Sequence, residues 1–431
     1  MSACILSTVS FSMFQPLKEL WFLSCPILTG RNIFGKPEGF LIDQGLYMSE
    51  ARLDILLYSH DGRGLGHVSR SAAIGMAIRR LYPDLKVCLI TGCRQTGELL
   101  GEVPLDWLKL PAYDTEVIEG KSTGVDGPSG FTDDELGILR AEQIKQIIYQ
   151  YRPSLVLVDH TPQGKHRELV PALHLSSQTK WFLGVRGVVG GVAQAGSTLA
   201  KELFQQFYSR LLWYGDRLVL GTEHIKELSE RFNTRAEECG YVSRLTELLP
   251  LYSSSGTGRS GCTVSIPWLG EHTRLFIEKF VEAMMLVGPH SGRFRIFVGS
   301  QDLSTLRKMI QDLDFCTLEP FSEKYVQTLS CSKSAVIFGG YNSLVDIMAT
   351  GIPAMVVLRD MRDREQHDHL QALAEPLGKR IAVVDEKDCS VEQLYRLLDN
   401  LMNLSPDPFA AQVNLGGAEQ TARVLAQSLE L

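Results

Sequence analysis

The residues Phe338-Gly-Gly-Tyr-Asn-Ser-Leu-Val-Asp346 hold the densest chemistry in the chain. Gly339 and Gly340 let a backbone come close to a ligand. Asn342 and Ser343 are short hydrogen-bonding side chains. Asp346 follows Ser343 by three positions, which puts both on one face of a helix. The apolar run 334–338 before them has the length and composition of a strand. A glycine turn between a strand and a helix offers unpaired N–H groups and the positive end of the helix dipole to an anion. The pattern suits a pyrophosphate at Gly339, Gly340, Asn342 and Ser343, with Asp346 accepting both hydroxyls of a ribose. Gly351, Pro353, the apolar run 354–358 and Glu365-Gln366 continue the series, which as a whole fits a sugar nucleotide. A plain strand–helix turn capped by Asn or Ser is the competing explanation of the first nine residues. The downstream residues favour the ligand.

A second candidate site is His60-Asp-Gly-Arg-Gly-Leu-Gly-His67-Val-Ser-Arg70. It follows an apolar run at 55–58 and opens a segment with helical spacing (Ala73, Ala77, Ile78, Leu81). Gly62, Gly64 and Gly66 make a close-approach loop. The third glycine comes too early for a dinucleotide fingerprint, and the run 87–90 is not followed by the acid that fingerprint needs. The Gly-Lys-Ser/Thr of a P-loop is missing too. What remains is a glycine loop ending in His67 at a helix start, where an imidazole can serve as general base near neutral pH or cap the helix.

The elements that must position these loops alternate along the chain. Strand-like runs fall at 55–58, 87–90, 154–158, 181–185, 217–220, 262–266, 294–298, 334–338 and 354–358. Helical spacing marks 71–81, 133–151, 273–287, 390–402 and 418–429. Thr132 and Glu135 stand at capping-box distance before the second helical stretch. This βαβ rhythm predicts an α/β chain with two doubly wound, Rossmann-like parallel sheets facing across a cleft. The Ser/Gly-rich stretch 251–261 reads as a linker. It divides an acceptor-side domain at 48–250 from a donor domain at 262–431, whose last helix has the option of returning to the first domain. Residues 1–47 lack periodicity and read as an extension outside the catalytic fold.

With 431 residues there is ample chain for two such cores. A net charge of −7 speaks against nucleic acid as a partner. Nine cysteines without zinc or secreted-scaffold spacing read as reduced thiols of a cytoplasmic protein. His367 and His369 lie two apart on an expected helix, so they do not share a face, and neither is read as a metal ligand.

Taken together, the two loops resemble those of GT-B glycosyltransferases. Within that class the chain resembles MurG-type N-acetylglucosaminyltransferases and a group of bacterial predicted glycosyltransferases. The resemblance spans about residues 53–430. It includes Val158-Asp-His-Thr-Pro-Gln-Gly164, Leu183-Gly-Val-Arg186 and Trp213-Tyr-Gly-Asp216 beside the two loops. It implies that Gly339, Gly340, Asn342 and Ser343 meet the donor phosphates and that Asp346 takes a ribose position usually held by Glu. It further implies that Glu365 and Gln366 bind donor-sugar hydroxyls. His67, or failing it Asp61, faces the acceptor as base. The resemblance also implies that Gly62, Gly64, Gly66, Arg70 and Arg186 belong to the acceptor and phosphate loops; the segment 113–131, long and glycine-rich, reads by itself as a lid or acceptor loop.

Two departures stand out. Phe338 occupies a position where related plant-type transferases carry a phosphate-contacting His. Pro267-Trp268 puts bulk into a loop that is often glycine-rich. The implied reaction is metal-independent, cofactor-free sugar transfer from a nucleoside diphosphate, UDP foremost, to a hydroxyl or amine of a small-molecule, glycan or lipid-linked acceptor. Peripheral membrane contact and a homodimer remain open. So do two other functions: a sugar-nucleotide epimerase or hydrolase on the same fold, and a non-catalytic sugar-nucleotide binder.

Overall fold

The structure is a computed structural model. It describes residues 52–59, 65–118, 121–125, 130–175, 178–188, 196–252, 259–289, 292–359, 365–404 and 413–429. The extension at 1–47, Asp61, Gly62, Gly64 and most of the Ser/Gly stretch lie outside the described residues.

Fifteen strands are described. In chain order they are β1 (Ile55–Ser59), β2 (Val87–Thr91), β3 (Asp106–Lys109), β4 (Asp114–Ile118), β5 (Lys121–Val125), β6 (Leu155–Asp159), β7 (Lys180–Arg186), β8 (Tyr208–Tyr214) and β9 (Ala236–Glu238). Then follow β10 (Cys262–Ile266), β11 (Phe294–Val298), β12 (Cys316–Pro320), β13 (Ser334–Phe338), β14 (Ala354–Leu358) and β15 (Ile381–Asp385). They build a seven-stranded sheet of order β3-β2-β1-β6-β7-β8-β9 and a six-stranded sheet of order β12-β11-β10-β13-β14-β15. Every pairing within these two sheets is parallel. Each order reverses once, between β1 and β6 and between β10 and β13. Such a reversal opens a crevice at the carboxyl ends of the central strands, where ligands bind in open α/β sheets. The helix that follows β1 starts at Gly66, and the Gly339-Gly340 turn follows β13, so each reversal has one of the candidate segments after its central strand.

The central strands β1, β6, β13 and β14 are buried on both faces because helices cover both faces. In β13, Ala335 and Ile337 belong to the core that also runs under the seven-stranded sheet. Val336 and Phe338 point the other way, into a second core with Phe276, Phe280 and Val357. This period-two alternation fixes where Phe338 faces. The predicted capping box forms as written. Thr132 Oγ1 accepts from Glu135 N, and Glu135 Oε2 accepts from Thr132 N, at the head of the helix Asp133–Tyr151.

One expectation is corrected. Residues 217–220 are not a strand but the short helix Arg217–Leu220, because Asp216 Oδ1 accepts from Leu218 N at 2.8 Å and starts a turn there. The strand of that region is β8, which precedes it. Within 113–131 the described residues include an antiparallel ribbon of β4 and β5. The helix Gly417–Ser428 packs on the seven-stranded half, where Arg80 pairs with Glu419 at 3.3 Å and Lys180 Nζ donates to Ser428 O at 2.6 Å. Among the described residues no helix is long and apolar enough to cross a membrane.

Candidate functional site

On the seven-stranded side, His67 lies in the first turn of the helix Gly66–Leu81, and Arg70 follows one turn later on the same face. Asp159 is the last residue of β6, beside β1 at the reversal point. The helix therefore delivers both basic side chains onto one carboxylate. His67 Nδ1 meets Asp159 Oδ2. Arg70 donates from Nε to Oδ1 at 3.1 Å and from Nη2 to Oδ1 and Oδ2 at 2.9 and 3.1 Å. Arg70 and Asp159 are 2% and 4% exposed, so this ion pair is held away from water.

Burial alone would push the Asp159 carboxyl up, but Arg70 and then His67 outweigh it and hold the group well below the usual range. An ionised carboxylate only accepts, so the proton of a neutral His67 must sit on Nδ1. The 3.0 Å approach of Arg70 Nη2 to that nitrogen is then a packing contact. Nε2 is then the unprotonated nitrogen. Burial lowers the His67 pKa and Asp159 only partly restores it, so the imidazole is neutral at pH 7. Just after Asp159 the chain turns through His160, at φ +81°, a region few side chains tolerate. The His160 ring lies 5.1 Å from that of His67.

On the six-stranded side, Gly340 is the N-cap of the helix Tyr341–Thr350 and has no side chain with which to cap it. A Cβ at Gly340 would meet nothing within 4 Å, so the helix start opens onto free space. Asn342, Ser343 and Asp346 line the same cavity as His67, Arg186, Gly340 and Gln366; its volume is about 390 Å³. Burial pushes the Asp346 carboxyl up to about 7, against the opposing pull of Arg244 and of Ser243, whose Oγ is 3.5 Å away. Gly66 touches the opposite wall: a Cβ there would come within 2.3 Å of Asn342 Nδ2.

The cavity thus joins most of the described candidates, with four particulars. Gly339 completes the ladder beyond β13, giving its N–H to Val357 O at 2.9 Å, and its α-carbon faces Gln366 and Leu358. Gln366 Oε1 accepts from Arg359 N at 3.4 Å. Glu365, expected to bind sugar hydroxyls, forms an ion pair with Arg186 at the end of β7. Arg70, expected in the phosphate loop, is committed to Asp159 instead.

Two participants were missed in the sequence. Asp159 had a signal, since a carboxylate ended an apolar run at a sheet's carboxyl edge. Arg359 had less. Its guanidinium carbon lies 3.8 Å from the ring centre of Trp268 and 4.3 Å from that of Phe338, and the residue lines the cavity. The bulk of Trp268 therefore covers an arginine. Among the described residues no group of three or more His, Cys, Asp or Glu is arranged to hold a metal ion.

Two doubly wound parallel sheets with a shared cavity at their carboxyl edges define a GT-B fold, and solved structures of that fold align along most of the chain. UDP-GlcNAc 2-epimerase of Methanocaldococcus jannaschii, in complex with UDP-GlcNAc and UDP, aligns at TM-score 0.58 and 11% identity, over 87% of this chain and 99% of its own. MurG of Acinetobacter baumannii aligns at TM-score 0.50 and 11% identity, over 87% and 99%. The spinosyn rhamnosyltransferase SpnG, complexed with thymidine diphosphate, aligns at TM-score 0.52 and 14% identity, over 88% and 100%. No family model and no curated protein matches the sequence.

Proposed function

We propose that the protein transfers a sugar from a nucleoside-diphosphate donor to a hydroxyl or amine acceptor, with His67 as base. The observation that carries this reading is the pairing of His67 with Asp159 at the wall of a cavity whose other wall is an uncapped helix start. Nε2 of His67 takes the acceptor proton as the acceptor atom bonds to the anomeric carbon. The sugar–phosphate bond breaks, and its electron pair stays on the departing diphosphate. Asp159 stabilises the imidazolium that results. The N–H groups of the Tyr341 helix, with Asn342 and Ser343, meet the charge growing on the diphosphate. Asp346 accepts from ribose hydroxyls, and Gln366 faces the sugar. In this reading helix dipole and side chains, rather than a metal ion, carry the leaving-group charge. UDP-sugars are the first donors to test, since UDP-GlcNAc and UDP accompany the epimerase of the same fold.

The test is a panel of nucleotide sugars, each with and without hydroxyl and amine acceptors, followed by release of nucleoside diphosphate. Release that depends on acceptor supports transfer. Release without acceptor assigns hydrolysis, an isomerised sugar assigns epimerisation, and binding without turnover assigns a sensor; any of these overturns the proposal.

A further inference from the structure

We infer that Arg359 is the cation that recognises the sugar-proximal phosphate of the donor, an inference that rests on reading the cavity as a nucleotide-sugar site. The buried run Ala354–Leu358 of β14 ends at Arg359, which is 5% exposed. The carboxyl ends of three adjacent strands build its seat. Trp268, shortly after β10, covers one face of the guanidinium, and Phe338, the end of β13, lies against it as well. Stacking of this kind suits arginine, whose flat and weakly hydrated cation pairs with aromatic faces. Two hydrogen bonds fix its rotation: Nη1 donates to Thr273 Oγ1 at 3.2 Å and Nη2 to Trp268 O at 3.0 Å. Thr273 Oγ1 in turn donates to Glu386 Oε2 at 2.9 Å, which leaves its lone pairs for the arginine.

The result is a cation pinned in one orientation on the cavity wall. Its place within the cavity selects its ligand. Its own backbone N–H bonds to Gln366, at the sugar end of the proposed donor, whereas Asp346 at the ribose end has Ser243 and Arg244 for neighbours. A cation at the sugar end meets the phosphate next to the sugar. It supplies the charge that the apolar side chain of Phe338 cannot, and the bulk of Trp268 becomes the clamp that holds it.

Calorimetry with UDP, dTDP and GDP identifies the diphosphate that wild type binds; that nucleotide and its monophosphate are then titrated into Arg359→Gln. We expect a loss of about 10- to 100-fold for the diphosphate, the range of a hydrogen bond to a charged group, with the monophosphate within about threefold of wild type. Equal losses for both nucleotides, or no loss, overturn the inference. If Arg359→Gln does not fold, Trp268→Leu frees one face of the guanidinium and carries the same expectation at roughly threefold to tenfold, the worth of one cation–π contact. Failure of wild type to bind any of the three diphosphates would instead overturn the nucleotide-sugar reading itself.

Discussion

Asp159→Asn removes one oxygen's charge and leaves the shape, so it isolates what the carboxylate does. In the folded protein that carboxylate takes three hydrogen bonds from Arg70 and one contact from His67 Nδ1, at 4% exposure. The amide leaves a buried guanidinium without its counter-ion, a loss of about 3–5 kcal/mol in stability. For a chain of this size that lowers the melting temperature by roughly 3–6 °C. The amide also presents an NH₂ where His67 needs an acceptor. The imidazole then moves its proton to Nε2 and ceases to be a base toward the cavity. A positioned general base contributes about 10²–10⁴ in rate, and kcat should fall by that factor while donor affinity stays within threefold. His67→Ala should lose as much, and the double variant no more than His67→Ala alone, because Asp159 acts through His67. In wild type the acid limb of kcat should lie below 6.5, since burial lowers the His67 pKa; activity falls as pH drops through the lowered pKa and is flat above it. Steady-state kinetics over pH with purified single and double variants measures all of this. A kcat within threefold of wild type in Asp159→Asn, or multiplicative losses in the double variant, would refute the dyad.

Asp346→Asn should weaken donor binding. It should also flatten a pH trend in stability: between 3.8 and about 7 the folded carboxyl keeps a proton that the unfolded chain releases, so stability falls as pH rises through that window. Urea melts at pH 5 and 7.5 show whether the trend depends on this residue. Gly66→Ala forces Asn342 aside, at about 0.5–1.5 kcal/mol for an off-rotamer side chain, so donor affinity should drop roughly twofold to tenfold with the melting temperature near wild type. Unchanged affinity by calorimetry would remove Asn342 from the donor site. Arg140→Met should destabilise by about 3–5 kcal/mol, because it strands Glu168 at 0% exposure with Tyr58 and Tyr113 as its other partners. Pairing it with Glu168→Gln should recover most of the loss in urea unfolding.

The sequence carried the central strands well and the edges poorly. Strands β10, β13 and β14 are buried along their length, and β11 at all but Arg295, so each appears as a mainly apolar run. Strands β12 and β15 close the same sheet at its margins and are partly exposed: β12 has no such run, and β15 has the apolar run Ile381-Ala-Val-Val384 but buries only Val384. The proposed donor motif was legible because its parts are local, set by one strand, one turn and one helix. The base was legible only in half. His67 and Asp159 are 92 positions apart, and nothing short of the β1–β6 pairing says that they meet. Arg359 and Trp268 are 91 apart and meet only through the reversal at β10 and β13.

Tyr341 shows why the two halves form one site rather than two facing loops. It is the first residue of the donor helix, between Gly340 and Asn342, yet it is buried, and its hydroxyl donates to Tyr214 O, in the other sheet, at 2.5 Å. Its ring packs with Tyr241 and His369 and lies 5.7 Å from the Arg70 guanidinium. Burial takes the His369 imidazole down to about 3, so this packing stays uncharged at any ordinary pH. One residue further on, Asn342 must therefore reach toward the start of the Gly66 helix, and only a glycine there leaves it room. The donor helix is fixed by the same half that holds Arg70, Asp159 and His67. Its N–H groups and the Nε2 of the base thus share one frame, and a ligand does not have to assemble them.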